Sequence, residues 1–370
     1  MPATPLPTLF SPFTLDALTL ANRIVMAPMT RMSATGHIPG DDMAAYYRRH
    51  AAGGAALIIT ECTFIDHPAA NCYPNAPAFY SDALSGWRKV VDAVHAAGGR
   101  IFPQLWHAGP RRGPDSEPHG EVPAWGPMEL IQDGKQLVKA MSTADIEAVV
   151  NAFAAAASAA RAAGFDGIEL HGAHSFLIDE FLWKKTNQRR DAYGGSIEKR
   201  ARFAAEVVAA VRDTVGPDFP IAFRYSQWKQ GDYQARIANT PQELEKILAP
   251  LVNAGVDIFH PSTHVYWHPA FSGSQLSLAG WTKKITGKPT IAVGSVGIDT
   301  ELDLAIFAGE TSATHPVSVE NVEAFLQREE FDLVAVGRAL LGDPDWPRKI
   351  RSGQLEDIRA FHSDDLATLQ

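Results

Sequence analysis

The sequence is poor in the residues that build metal and redox centres. Only Cys62 and Cys72 occur in 370 residues, without a CxxC or CxxxC cluster, so neither an iron–sulfur cluster nor a structural zinc site is supported. Such sparse thiols fit a reducing cytoplasm. No run of ~20 apolar residues is present to suggest a membrane span. The opening stretch MPATPLPTLFSPFTL is apolar, but four prolines interrupt it and it lacks the basic start of a signal peptide, so no leader is expected. Lys and Arg number 33 against 42 Asp and Glu, a net charge of -9, and no block of like charge tracks a phosphate backbone. Nucleic acid is therefore not an expected partner. Finally, no GxGxxG follows the first strand-like run, so the dinucleotide signature of doubly wound sheets is missing.

What is present is alternation. Eight short apolar runs, each flanked by Gly, Pro or polar turns, lie at 22–30, 55–63, 100–108, 164–172, 219–227, 255–263, 288–296 and 331–339. Helical periods separate them, as in LSGWRKVVDAVHAAGG before the third run and TADIEAVVNAFAAAASAARAAGF before the fourth. Ser142 with Asp145 reads as a helix-capping pair, and Thr240-Pro241-Gln242-Glu243 combines a cap, a first-turn proline and a capping-box acid. Near-continuous apolar strands alternating with helices predict a parallel sheet covered by helices, and eight units favour a closed (β/α)8 TIM barrel over an open sheet. The expectation is one barrel domain over residues 1–370. The connection 109–141, rich in Pro, Gly and charge, is long for a compact domain and is read as a lid over the barrel mouth, with a passive insertion as the alternative.

Barrel enzymes carry their chemistry at the C-terminal ends of strands. Gly294 and Ser295 in AVGSVG, with Gly337 and Arg338 in AVGRAL, end the last two runs and suggest a phosphate cradle: backbone that a ligand can approach, plus a guanidinium fork. Gln104 and Arg224 end the third and fifth runs; a planar heterocycle with carbonyls and ring nitrogens would satisfy both, and so would a buried ion pair of Arg224 with Glu169 or Glu61. His171 and His174 bracket the turn after the fourth run, where two imidazoles can converge on one oxygen. A divalent metal would suit the pair as well, but no HxH and no bridging lysine among carboxylates support a metal-dependent barrel hydrolase.

Longer motifs carry a family resemblance. HGAH followed by LIDEFLW and TNQRRDAYGGSIEKRARF is similar to the signature of the old yellow enzyme family of FMN-dependent ene-reductases, and LFSPFTLDALTLANRIVMAPMTR, GWRKVVDAVHAAGGRIFPQLWHAG and VGRALLGDPDW extend the match over nearly the whole chain. The resemblance implies FMN as cofactor and NADPH or NADH as electron donor. It places Pro28, Met29 and Thr30 at the flavin, with Thr30 near N5; Gln104 and Arg224 on the pyrimidine side; and Gly294, Ser295, Gly337 and Arg338 around the phosphate. His171 and His174 would grip the oxygen of a second substrate, an activated alkene, which then accepts hydride from N5 in a ping-pong cycle.

Departures shape the expectation. The family usually carries a proton-donating tyrosine where this chain has Phe176, and a phenyl ring has no proton to give. Three outcomes follow: water or another side chain such as Tyr266 protonates the intermediate; the substrate is a nitrate ester or quinone that needs no such proton; or the hydride returns, giving isomerisation or desaturation. Retained reduction of an activated C=C bond is the reading favoured. Gln227 and Pro110 also depart from the family pattern, and the histidine-rich stretch HPSTHVYWHPAF (260–271) is placed at the mouth.

Overall fold

The computed structural model describes residues 5–114, 116–301 and 313–369. Eight parallel strands close into a barrel: β1 (Ile24–Met26), β2 (Leu57–Phe64), β3 (Arg100–Trp106), β4 (Ile168–Gly172), β5 (Ile221–Ser226), β6 (Ile258–Ser262), β7 (Ile291–Val293) and β8 (Leu333–Val336). Seven lie inside the predicted runs, and β2 passes the end of its run by one residue, Phe64. The strands read as continuous apolar runs because both faces are covered: one packs inward and the other meets helices. Those helices are α1 (Asp41–Ala52), α2 (Ala83–Ala96), α3 (Thr143–Ala162), α4 (Ile197–Val215), α5 (Pro241–Ala254), α6 (Leu278–Thr286) and α7 (Glu320–Gln327).

Local chemistry sets the helix starts. Ser142 and Asp145 form a reciprocal capping box at α3, whose buried Ile146, Val149, Phe153, Ala156, Ala157 and Ala160 follow the helical period. At α5 the Thr240 side chain accepts from the Glu243 amide, Pro241 occupies the first turn, and left-handed Gly255 (φ 112°) ends the helix. Among the described residues no helix is long and apolar enough to cross a membrane.

An antiparallel hairpin, Phe13–Leu15 with Leu18–Leu20, precedes the barrel. Its Phe13, Leu18 and Leu20 join Leu57, Phe102, Ile258, Ile291 and Leu333, from the first halves of their strands, in a separate inner core. This plug closes one end, leaving the C-terminal ends of the strands for chemistry. Strand register then sets which polar side chains meet. Gln104 lies opposite Glu169, and Arg224 has His171 on one side and His260 on the other.

The long connection 109–141 is built rather than irregular. Strand Lys135–Ala140 pairs antiparallel with Leu130–Gln132 and parallel with Ala124–Gly126, making a three-stranded sheet. Arg112, buried, gathers the carbonyls of Asn71, Ser116, Pro118, His119 and Val122, so one guanidinium replaces the helical hydrogen bonds this segment lacks.

Candidate active site

A cavity of about 730 Å³ opens among the C-terminal ends of the strands. Its wall includes Pro28, Met29 and Thr30 after β1, His174 after β4, Arg224 of β5, Ser262 of β6, Gly294 and Ser295 after β7, and Gly337 and Arg338 after β8. The volume falls within the range of small-molecule sites. One space thus gathers most of the predicted residues.

At one end the backbone comes closest to the cavity. Gly294 has φ 127°, and a Cβ there would lie 2.5 Å from the Thr263 carbonyl, so no larger residue is accommodated. Ser295, also left-handed, directs its hydroxyl to the carbonyls of His264 and Thr300 at 3.0 and 2.9 Å. Arg338 donates to the Thr300 carbonyl at 2.7 Å, and burial lowers its pKa to about 10. It remains a cation at neutral pH.

The opposite end rests on a buried polar network. Glu169, fully buried, accepts from Gln104 Nε2 at 2.8 Å and from His260 Nδ1 at 2.6 Å. Burial pushes the Glu169 pKa up, but His260, Arg224 and Gln104 outweigh it and hold the carboxyl below its usual range. Arg224 makes no ion pair with it among the described residues. Among the described residues its one hydrogen bond is a long one, 3.5 Å to Ser262 Oγ, and its Nε is buried without a partner. A buried cation so thinly compensated is costly unless a ligand acceptor completes it.

The histidines meet at this orphan cation. Their rings stand 5.2 Å apart and perpendicular. His171 Nδ1 faces the Ala173 amide at 3.3 Å, which assigns the ring proton to Nε2; that atom has no protein partner among the described residues. His174 Nε2 lies 2.8 Å from Ser262 Oγ. With Ser262 accepting from Arg224, its hydroxyl proton points to Nε2 and leaves Nδ1–H for a ligand. Burial, and then the Arg224 charge, hold both rings well below the usual imidazole pKa, so they are neutral donors.

The turn that carries them is strained. His174 and Ser175 are consecutive left-handed residues at φ 62° and 64°. Ser226 Oγ accepts the His174 amide at 3.1 Å, and Asp179 accepts the Ser175 amide at 2.8 Å while paired with buried Lys229 at 2.5 Å. Those bonds secure the turn.

A second buried carboxylate holds the Thr30 loop: Glu61 Oε2 accepts the amides of Arg31 and Met32 at 2.9 and 3.1 Å. Burial raises the Glu61 pKa to about 7, against the pull of those two amides. Between the unfolded value near 4.5 and this folded value the native state holds a proton that the unfolded chain has released. Its contribution to stability therefore falls as pH rises through that window, at roughly 1 kcal/mol per pH unit. Urea midpoints should consequently drop more between pH 5 and 8 for the wild type than for Glu61→Gln, and equal drops would refute the linkage.

Some residues fall elsewhere. Gln104, His171 and Phe176 back the cavity rather than line it: Phe176 is buried edge-on between His171 (4.9 Å) and Trp106 (5.2 Å). Tyr266 does not reach the cavity. Its ring packs edge-on against Phe325 of α7 and Phe331, with Asn321 beside the hydroxyl, and these contacts turn it away from the cavity; this corrects the expectation that it lines the substrate site. From the same histidine-rich stretch Ser262, Thr263 and His264 line the wall instead. Ser262 ends β6 and was accessible to the strand-end rule; Trp228 follows the Gln227 departure on the wall, while Tyr73 sits in a loop with no sequence pattern to mark it.

Residues 8–314 match the model of the NADH:flavin oxidoreductase / NADH oxidase family. The chain belongs to this family, the old yellow enzyme family. It is 33% identical over 363 residues to the NADH oxidase of Thermoanaerobacter brockii, covering 95% of this chain and 52% of that protein, so the chain spans about half of that relative's length. A putative 12-oxophytodienoate reductase-like protein 1 of Arabidopsis thaliana is 33% identical, covering 89% of this chain and 96% of the relative. Morphinone reductase in complex with tetrahydroNAD superposes with a TM-score of 0.78 at 31% identity, covering 94% of this chain and 91% of that one. This old yellow enzyme family member is an NAD(P)H-dependent oxidoreductase with a (β/α)8 barrel. The wall fits the flavin of the family on two observations: the Arg224 guanidinium has an unmet donor, and Gly294 with Gly337 keeps backbone open opposite Arg338.

Proposed function

We propose that this protein is an FMN-dependent ene-reductase that uses NADPH or NADH to reduce the activated C=C bond of an α,β-unsaturated carbonyl or nitro compound. The observation that carries the reading is the buried, undercompensated Arg224 beside two neutral imidazoles, His174 on the cavity wall and His171 directly behind it. FMN, when bound, supplies a two-electron carrier that takes hydride from the nicotinamide and gives it up at N5. The chain supplies the rest. Arg224 and Gln104 hold the pyrimidine side, Arg224 offsetting negative charge there. Pro28, Met29 and Thr30 border the reacting edge, and Gly294, Ser295, Gly337 and Arg338 hold the phosphate. His171 and His174 bind the substrate oxygen and stabilise the charge that reaches it.

Several relatives are named for carbonyl compounds, including an oxophytodienoate, morphinone and an aldehyde, which supports a carbonyl oxygen between the histidines. Nitrate esters and quinones, or isomerisation without net reduction, are the second reading, favoured by Phe176 alone. Metal-dependent hydrolysis has no cluster of three or more ligand residues to rest on among the described residues. Arg111, at the start of the connection 109–141, lies on the cavity wall, and this supports a lid role for that segment. We place the enzyme in the cytoplasm as a further part of this reading.

An anaerobic visible spectrum of the purified protein, taken before and after NADPH and then NADH, tests the proposal. A flavin band that bleaches is expected. A colourless protein that takes up no FMN would overturn it.

A further inference from the structure

Phe176 leaves the proposed reaction without its expected proton source, and the structure offers a replacement. Phe176 meets the edge of Trp106 at 5.2 Å, and Tyr73 stacks on Trp106 with ring centroids 5.5 Å apart and planes 14° apart. Tyr73 therefore belongs to the same aromatic wall, one ring beyond the Phe176 contact. Unlike Phe176 it lines the cavity.

Several other acids are badly placed. His171 and His174 are neutral and would have to surrender their last ring proton. Glu61 is sealed behind the Thr30 loop at 1% exposure. Tyr266 faces α7, and Tyr46 and Tyr47 are fully buried beside Glu61. Tyr73 is the tyrosine on the cavity wall among the described residues.

We propose that Tyr73 is the general acid that protonates the substrate carbon α to the activating group. The assignment rests on the ene-reductase reading. A hydride delivered to the β carbon would form the new C–H bond there, and the C=C π pair would move through the α carbon to the oxygen held by His171 and His174. When that pair returns, the α carbon takes the Tyr73 hydroxyl proton: the O–H bond breaks, the second C–H bond forms, and the oxygen keeps the phenolate pair. Water at the mouth then restores the proton. Burial pushes the Tyr73 phenol above its usual pKa and keeps it protonated between turnovers, against the pull of Arg111 and Gln230, which share the wall and favour its phenolate. Two loops after different strands thus serve one hydroxyl.

The test uses FMN-loaded wild type, Tyr73→Phe, Phe176→Tyr and the double variant, reduced by NADPH and mixed with cyclohexenone or benzoquinone. Quinone reduction needs no proton on carbon. The ratio of enone to quinone rate should fall about 100-fold in Tyr73→Phe. It should recover in the double variant, where position 176 again carries a phenol. Flavin content and the Kd of p-chlorophenol, read from the oxidised flavin spectrum, report on a purely structural effect, and both should shift by less than about threefold. A ratio unchanged in Tyr73→Phe overturns the assignment, as does a fall accompanied by loss of phenol binding that Phe176→Tyr does not rescue. A wild type inert toward both acceptors defeats the ene-reductase reading itself, and this proposal with it.

Discussion

Glu169→Ala is expected to destabilise the protein by about 3–5 kcal/mol, the cost typical of removing one partner from a buried ionic network. Glu169 accepts from Gln104 and His260 and is the acidic charge nearest the Arg224 cation in the barrel interior. Alanine leaves a buried amide, a buried imidazole N–H and a buried guanidinium without compensation, beside the two orphan atoms already there, Arg224 Nε and His260 Nε2. For a chain of this length the melting temperature should fall by roughly 5 °C. Glu169→Gln removes the charge and keeps one of the two oxygen acceptors, setting an NH2 against the other donor, so it should cost less than alanine while weakening flavin retention through a mobile Gln104. Urea unfolding of the apoprotein checks the first effect and flavin release by dialysis the second. A Glu169→Ala protein within about 1 kcal/mol of wild type would mean that water reaches the network and replaces the carboxylate.

The barrel was legible because its physics repeats. Strands covered on both faces give apolar runs that need no alternation, and Ser142, Thr240 and Gly255 mark helix ends by local hydrogen bonding alone. The small sheet inside 109–141 was not legible: its strands are largely exposed, as in Leu130–Gln132, and its order comes from Arg112 binding carbonyls up to forty-one positions away. The hairpin Phe13–Leu15 with Leu18–Leu20 escaped notice for a similar reason, since three-residue strands carry no period. At the site, most of the residues on strands or directly after them line one cavity, because register determines their direction, while Gln104 and His171 stand behind its wall. Loop residues follow no such rule. Tyr266 turns to Phe325 of α7, whereas Tyr73 reaches the cavity by stacking on Trp106, two contacts that depend on distant parts of the chain. The stretch 260–271 was placed at the mouth, but its first residue, His260, lies within β6 against Glu169, beneath the site.

Replacing both His171 and His174 by alanine should weaken the binding of a simple phenol to the flavin-loaded protein by about a thousandfold. Each imidazole offers one N–H to an oxygen that carries negative charge, and a hydrogen bond to a charged group contributes about 1.5–3 kcal/mol. The full sum is not expected, because the rings touch at 5.2 Å and share the Arg224 field, so the single variants will not be additive. Ser262→Ala should mimic part of the His174→Ala effect, since without the hydroxyl nothing fixes the His174 proton on Nδ1. Both pKa values lie well below the usual imidazole range, so between pH 6 and 8 the protein's side of the binding curve should be flat, and any slope should follow the phenol. A bell centred near pH 6.5 would instead show that at least one ring is charged when it binds. Unchanged affinity in the double variant would leave Arg224 as the sole anion holder and reduce the histidines to packing against Phe176 and Trp228.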